Sequence, residues 1–134
     1  MAAEAKIHII GVGGDGLAGL TGRARELLQN ADLVLGSEPT LGRIPELTAQ
    51  RLVIGTDLQE VVQTLEKEDG AKRIVVVASG DPLFYGVAHF LCDRLGKERF
   101  EVLPHVSTMQ LAFARVKESW EEAYLTDLST RSLP

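Results

Sequence analysis

The sequence predicts an α/β fold, a three-layer α/β/α arrangement around a mainly parallel five-stranded sheet. The first observation behind this prediction is a series of short apolar runs, such as Val-Val-Val-Ala at 75–78, which show no alternation and are typical of strands covered on both faces. The second is that segments with apolar residues at helical spacing lie between these runs. Strands that alternate with helices along a chain favour a parallel sheet with helices on both sides.

Five strands are predicted in order along the chain, and their bounds are residues 6–11, 32–36, 51–54, 73–78 and 99–103. Thr21 is the predicted N-cap of the first helix, because a hydroxyl there accepts a hydrogen bond from the first turn. Gly96 is predicted to end the helix after the fourth strand. Ser107 begins a capping-box pattern, Ser-Thr-Met-Gln, that opens the last helix. The fifth strand alternates more than the others, which indicates a position near an edge of the sheet.

Composition argues against several classes of function. The chain has 134 residues, of which 45% are hydrophobic and 25% charged, as expected of one globular domain with a substantial core. Its net charge of −5 and the lack of a clustered basic patch argue against a nucleic-acid partner. Its apolar runs are too short to span a bilayer, and its first residues form no signal-peptide core. The single cysteine, Cys92, cannot form an internal disulfide, which fits a reducing cytoplasm. One cysteine and three scattered histidines do not make a metal site.

The last segment of the chain departs from the alternation of strands and helices. Residues 121–128 are predicted to form a further strand, and the following residues offer nothing for it to pair with. We therefore expect a first domain over 1–117 and, over 118–134, a linker and the start of a second, truncated domain. The alternative is a natural edge strand with a frayed terminus.

The stretch 75–86 combines a buried strand with a cluster of turn-forming residues. The strand stops at Ser79, Gly80, Asp81 and Pro82, and a helix follows. Gly80 allows a ligand to approach the backbone, and the fixed φ of Pro82 suits a first helical turn. Because open α/β sheets bind ligands beyond the carboxyl ends of their strands, this loop is a candidate site. An ordinary β-to-α turn is the alternative interpretation.

Residues 11–16 match the pattern Gly-x-Gly-x-x-Gly directly after the first strand, so a dinucleotide-binding Rossmann domain has to be considered. Two features count against it. Four residues separate Gly16 from a helix that begins near Thr21, whereas the third glycine of that motif packs inside the helix. In a Rossmann domain, an acidic residue about 20 residues after the glycine motif binds the ribose. Glu38, the nearest acidic residue after the second strand, lies later than this.

Three loops follow the first, fourth and fifth strands, at 11–21, 79–85 and 104–108. Each precedes a helix, so free backbone N–H groups are expected to point towards one edge of the sheet. Such an edge can hold the carboxylate and hydroxyls of a polar cofactor. Asp81 and Ser107 also have a plainer interpretation as helix caps, which is the expected role of the Ser107 hydroxyl.

These loops resemble the tetrapyrrole methylase family in order and spacing. The resemblance is carried by Gly-Val-Gly at 11–13 with Leu-Thr at 20–21, by Ala-Ser-Gly-Asp-Pro-Leu-Phe-Tyr-Gly at 78–86, and by Pro-His-Val-Ser at 104–107 with Leu-Ala-Phe-Ala-Arg at 111–115. Within the family, the chain looks most like the precorrin-6Y (cobalt-precorrin-7 C5) methylase branch. That branch is indicated by Gly-Asp-Gly-Leu-Ala-Gly-Leu-Thr at 14–21, Val-Leu-Gly-Ser-Glu at 34–38 and Ser-Trp-Glu-Glu-Ala at 119–123.

The resemblance implies a two-domain C-methyltransferase that uses S-adenosyl-L-methionine and acts on a corrinoid precursor in cobalamin biosynthesis. It also implies that the cofactor lies in a cleft between the two domains, so the 134-residue chain is expected to be inactive by itself. Other acceptors known in the family remain alternatives: a uroporphyrinogen, a diphthamide precursor or ribosomal RNA. A nucleotide-binding Rossmann module is the alternative outside the family. The expected partners are a small-molecule tetrapyrrole and a second copy of the chain in a homodimer, without nucleic acid or membrane.

Site residues follow from the resemblance position by position. The residues implied to bind the cofactor are Gly14, Ser79, Gly80, Asp81, Phe84, Ser107 and Thr108. The residues implied to contact the substrate are Gly11, Gly13, Asp15 and Gly16. Two positions depart from the family pattern: Gly14 stands where relatives often have proline, and His105 replaces a frequent glycine. No catalytic residue is assigned, because a corrinoid ring has nucleophilic carbons of its own.

A corrinoid precursor carries several carboxylates, and arginine is the side chain best suited to bind them. Arg23, Arg25 and Arg43 are candidates if they face the cleft. The alternative, that each is a solvated charge on a helix or loop, is the expected role for each one taken singly.

Overall fold

A computed structural model describes residues 6–55, 57–68, 70, 72–83 and 87–123. Five parallel strands form one sheet in the order β3-β2-β4-β1-β5. The strands are β1 (Ile7–Val12), β2 (Leu33–Gly36), β3 (Gln50–Val53), β4 (Ile74–Ser79) and β5 (Phe100–Leu103). The helices are α1 (Gly22–Gln29), α2 (Glu38–Leu41), α3 (Leu58–Glu68), α4 (Val87–Leu95) and α5 (Thr108–Val116), with short 3₁₀ turns at Gly16–Gly19 and Lys97–Arg99.

Side chains that alternate along β1 divide the core into two layers, one on each face of the sheet. Ile7 and Ile9 pack with buried residues of α3 and α4, whereas Ile10 and Val12 pack with buried residues of α1 and α2. Since both faces are covered, β2 is buried throughout and β4 over its first four residues. The predicted three-layer α/β/α fold with a parallel sheet is confirmed, and each strand lies within one residue of its predicted bounds.

The outer strands differ from the inner ones in exposure. β5 lies at one edge, as its alternating sequence predicted, and only Phe100 of its residues is buried. β3 forms the other edge, where Leu52 and Val53 are exposed. An edge strand has a sheet neighbour on one side only, so fewer of its side chains are covered.

Polar caps begin three of the helices at the carboxyl edge of the sheet. The Thr21 hydroxyl accepts a hydrogen bond from the Ala24 N–H, 3.2 Å away, as predicted. Ser37 caps α2 in the same way, which accounts for the helical turn after β2. Ser107 forms a complete capping box with Gln110. After α4, Gly96 has a φ of 96°, which confirms it as the residue that ends this helix.

Some predicted features fall elsewhere. Pro82 is fully buried in a turn, and the described part of α4 begins at Val87. Residues 84–86 lie outside the described residues. Of the strand predicted at 121–128, residues 121–123 form a turn instead, in which the Ala123 N–H donates to the Trp120 carbonyl at 3.1 Å, and the rest lies outside the described residues. The described helices include none that is both long and apolar enough to cross a bilayer.

The strand order is also inconsistent with a Rossmann sheet. In that fold the first strand lies beside the second, whereas here β4 lies between β1 and β2. Gly16 begins a 3₁₀ turn, and α1 starts only at Gly22. The glycine pattern at 11–16 therefore lacks the strand-to-helix geometry that dinucleotide binding uses.

Candidate functional site

The carboxyl ends of β1 and β4 lie side by side at the centre of one sheet edge. Val12 and Ser79, the last residues of the two strands, are direct neighbours in the parallel register. The Gly80 N–H donates a hydrogen bond to the Val12 carbonyl, 3.1 Å away. The loops after β1 and β4 thus leave the sheet in contact with each other.

Close backbone packing brings the loop after β5 to the same place. A Cβ atom on Gly11 would overlap the Gly80 carbonyl oxygen and lie 2.8 Å from the His105 backbone nitrogen. Gly80 has a φ of +66°, and a Cβ there would lie 3.1 Å from the Ser107 Cα. The three loops that the sequence predicted to share an edge therefore touch one another, and they do so through glycine positions that have no room for a side chain.

The His105 side chain joins the loop after β5 to the loop after β1. Its Nε2 lies 3.1 Å from the Gly19 carbonyl oxygen, a hydrogen bond in which the ring donates. The same ring covers Gly13, where a Cβ would lie 2.7 Å from the His105 Cε1. The His105 ring therefore holds the glycine-rich loop after β1 against the loop after β5.

Arg43 adds a fourth segment to the site, from the turn that follows α2. Its Nη1 donates to the Ser79 Oγ at 3.0 Å and to the Val12 carbonyl at 3.3 Å. A Cβ on Gly16, whose φ is +59°, would overlap the Arg43 carbonyl oxygen. The Arg43 backbone therefore packs on the first loop while its guanidinium spans the ends of β1 and β4. Of the three arginines considered from the sequence, this one reaches the edge.

The turn that carries Arg43 is itself held by a second arginine. Arg51, on β3, donates to the carbonyls of Leu41 at 3.0 Å and Leu47 at 3.3 Å. These bonds hold the turn after α2, where the Leu41 carbonyl also accepts from the Ile44 N–H at 3.1 Å. Nothing in the local sequence marks this arrangement, since it depends on contacts between separate elements.

The other two arginines lie away from Ser79 and Gly80. Arg23 forms an ion pair with Glu101 on β5 and lines a groove of about 370 Å³ near the amino ends of β1 and β4. Arg25 is exposed and donates to the Leu20 carbonyl at 3.3 Å.

Asp81 and Ser107 make the local hydrogen bonds of cap residues. The Asp81 Oδ1 accepts from the Leu83 N–H at 2.9 Å, which fixes the turn before α4. The Ser107 Oγ accepts from the Gln110 N–H at 3.2 Å, the role expected of it. One Asp81 oxygen is thus engaged in the turn, and Asp81 is only partly buried. Its second oxygen makes no hydrogen bond with the residues that the structure describes.

The remaining predicted residues divide by exposure. Gly11 and Gly16 are buried and serve the packing of the loops, whereas Gly14 and Asp15 are exposed, with open space where a Gly14 side chain would stand. Gly13 lies between these extremes, beneath His105. Thr108 is the first residue of α5, but its side chain lies outside the described part, as does Phe84 altogether.

The described part of this edge is rich in hydrogen-bond donors. The capped starts of α1, α2 and α5 follow the strands here, and helix starts carry free N–H groups with partial positive charge. The Arg43 guanidinium adds a full positive charge. Within the described ranges, no three His, Cys, Asp or Glu side chains are grouped to hold a metal ion. The arrangement suits a polar ligand that carries hydroxyls and a carboxylate.

Comparison with known proteins shows one family over almost the whole chain. The family described as Tetrapyrrole (Corrin/Porphyrin) Methylases matches residues 6–132. A precorrin-6Y C(5,15)-methyltransferase (decarboxylating) from Mycobacterium tuberculosis is 40% identical over 111 residues, which are 82% of this chain and 28% of that protein. A cobalt-precorrin-7 C(5)-methyltransferase from Salmonella typhimurium is 30% identical over 120 residues, 90% of this chain and 59% of that protein.

Solved structures show the same fold. A precorrin-6Y methylase from Archaeoglobus fulgidus superposes with a TM-score of 0.72 at 22% identity, over 85% of this chain and 59% of that one. A cobalt precorrin-4 methyltransferase gives a TM-score of 0.68 at 28% identity, over 85% of this chain and 51% of that one. The chain thus spans between 28% and 59% of the length of these sequence and structural relatives.

Proposed function

Since this chain belongs to the tetrapyrrole (corrin/porphyrin) methylase family, we propose that it forms the cofactor-binding part of a C-methyltransferase that uses S-adenosyl-L-methionine. The observation that carries the proposal is the contact among three loops at one sheet edge, in which Gly11, Gly80 and His105 pack backbone to backbone. That contact gathers the segments with the family resemblance into one donor-rich surface.

The donors at this edge fit the cofactor's polar groups. S-adenosyl-L-methionine, when bound, supplies an activated methyl group, and its ribose hydroxyls and carboxylate need acceptors and donors. One Asp81 carboxylate oxygen has no hydrogen-bond partner among the described residues and can accept from a hydroxyl, and the exposed backbone at Gly14 allows close approach. We assign Ser79, Gly80, Asp81, Ser107 and Thr108 to the cofactor, together with Gly14 and Phe84. We assign Gly11, Gly13, Asp15 and Gly16 to the side of the substrate.

Catalysis in this proposal rests on positioning. Alignment of a nucleophilic carbon with a methyl group supplies about 7–11 kcal/mol in the best intramolecular cases. The loops described above are suited to this, because glycine packing and the bonds of Arg43 and His105 fix their backbones. No general base is required of the chain, since the electron-rich carbon belongs to the substrate.

The proposed substrate is a corrinoid precursor of the precorrin-6Y type, in cobalamin biosynthesis. The 40% identity to a protein named as a precorrin-6Y methyltransferase supports this choice over other acceptors of the family. Binding of cobyrinic acid, uroporphyrin III, a diphthamide-precursor peptide and an rRNA oligonucleotide can be compared by fluorescence titration. Preference for cobyrinic acid is expected, and preference for RNA would contradict the proposal.

We also propose that two copies of the chain associate and that the protein acts in the cytoplasm.

The domain limit is proposed near residue 117, with residues 118–134 leading from this domain into a second one. The end of α5 at Val116 and the exposed residues at 118–123 support this limit. If a second domain is needed for turnover, the 134-residue chain shows no methyl transfer to any tetrapyrrole.

Calorimetry with S-adenosylhomocysteine and with NAD⁺ tests the proposed cofactor. We expect the wild-type chain to bind the first and not the second. Asp81→Ala should weaken binding about tenfold, because it removes a charged acceptor. Asp81→Asn is the matched variant: it keeps an acceptor for the Leu83 N–H and removes only the charge.

If Asp81→Asn binds like the wild type while Asp81→Ala does not, the carboxylate acts through the turn rather than on the ligand. If both bind like the wild type, Asp81 is no part of the site. Binding of NAD⁺ alone would contradict the proposed function itself.

A further inference from the structure

Arg43 and Arg51 are both partly buried and form no ion pair with the described residues, but Arg51 uses both Nη1 and Nη2 on backbone carbonyls, whereas Arg43 uses Nη1 alone. Arg23 pairs with Glu101, and Arg73 pairs with Asp32. Arg43 instead donates to a backbone carbonyl and a hydroxyl, which are both neutral. A partly desolvated guanidinium is costly when its N–H groups lack partners, and the described residues bind only part of the Arg43 guanidinium.

The bonds that Arg43 does make leave its outer donors available. Among the described residues, Arg43 bonds through Nη1 alone, to the Val12 carbonyl and the Ser79 Oγ. Nε and Nη2 make no hydrogen bond with any residue that the structure describes. An arginine has five N–H donors in a planar fork, so a ligand can still be bound in a bidentate manner.

The hydrogen bond from Arg43 also sets the direction of the Ser79 hydroxyl. Because the Ser79 Oγ accepts from the guanidinium, its own hydrogen must point to a different acceptor. Ser79 is exposed at the end of β4, and the described residues provide no such acceptor. A hydroxyl that accepts from a cation is polarised and becomes a better donor.

We propose that Arg43 and Ser79 together recognise a carboxylate of the bound ligand at this sheet edge. This inference rests on the proposed function, in which two ligands with carboxylates meet here. The carboxylate belongs either to the amino-acid end of the cofactor or to a side chain of the corrinoid ring. The chemistry is shared, since either would accept from the guanidinium and from the Ser79 hydroxyl.

Pairs of ligands that differ in their carboxylates distinguish the two sources. S-adenosylhomocysteine is compared with 5′-methylthioadenosine, which lacks the amino-acid end, and cobyrinic acid with its fully methyl-esterified form. For each pair we define the affinity ratio as the affinity for the ligand with the carboxylate divided by the affinity for its partner without it. Calorimetry gives this ratio for the wild type and for Arg43→Met, Arg43→Lys and Ser79→Ala. Arg73→Met is the control, because it removes the same charge at the opposite end of β4.

We expect Arg43→Met to reduce the ratio of one pair about tenfold, with a partial return in Arg43→Lys and a smaller loss in Ser79→Ala. Arg73→Met should leave both ratios at the wild-type value. The pair that responds identifies the source of the carboxylate. If Arg43→Met does not fold, Ser79→Ala alone decides, since it leaves the packing of the Arg43 backbone in place.

A purely structural role for Arg43 would lower the melting temperature and weaken both members of each pair alike. Unchanged ratios in every variant would overturn the inference, even if the wild type binds S-adenosylhomocysteine as proposed. Failure of the wild type to bind S-adenosylhomocysteine would instead contradict the proposed function, and the corrin pair would still test Arg43. A wild type that binds neither carboxylate ligand overturns both.

Discussion

At the scale of single residues, Gly11 is the position where the loops of this site depend most on a missing side chain. A Cβ there would meet the Gly80 carbonyl and the His105 backbone, neither of which can rotate away. We expect Gly11→Ala to lower the free energy of unfolding by about 1–3 kcal/mol, the usual cost of forcing an extra carbon into a packed region. Urea denaturation followed by circular dichroism measures this change.

Gly22→Ala is the matched control. Gly22 begins α1, and a Cβ added to it would have no atom within 4 Å. The same chemical change should therefore stay within about 0.5 kcal/mol of the wild type. Equal destabilisation by the two variants would show that Gly11 does not hold the loops together.

At the scale of elements, a charged cluster joins α1 to the β1–β5 edge of the sheet. The Arg23 guanidinium, hydrogen-bonded to the Glu101 carboxylate, holds the pKa of Glu101 below its ordinary value. Partial burial lowers the pKa of His8 from its ordinary value of 6.5, although Glu101, 3.8 Å away, acts in the opposite direction. Each group therefore binds protons more readily in the unfolded chain, so each contributes stability that is lost as the pH falls.

The contribution of His8 to the free energy of unfolding is fully present above pH 6.5. It is lost as the pH falls through that value towards the lower pKa of His8 in the folded state. The free energy of unfolding of the wild type, measured with urea, should fall as the pH is lowered from about 7.5 to about 5.5, because histidine is the side chain that titrates in this range. His8→Gln should show a smaller slope. Since Glu101 titrates in a more acidic range, its loss follows at lower pH. Parallel slopes for the two proteins would contradict the burial of a neutral His8.

At the scale of the whole molecule, the sequence predicted what is encoded locally. Short apolar or alternating segments predicted the strands to within one residue, and cap residues such as Thr21 and Ser107 marked the helix starts. The meeting of three loops was also predictable, because carboxyl ends of parallel strands share an edge. The strand order and the part played by Arg43 and His105 were not. Arg43 and Val12 are 31 residues apart, and His105 and Gly19 are 86 apart, so no local pattern reports their contacts.

The final prediction concerns how copies of the whole molecule associate. α5 has no buried side chain among those described, and its Leu111 and Val116 are 46% and 64% exposed. A short helix gains most of its stability from packing against other elements, so we expect a second copy to cover α5. Replacing both residues by Gln should reduce self-association in sedimentation velocity and change the free energy of unfolding by less than about 0.5 kcal/mol. Leu52 and Val53, exposed on the opposite edge strand, provide the matched pair. If only their replacement by Gln dissociates the protein, the copies meet at β3 and not at α5.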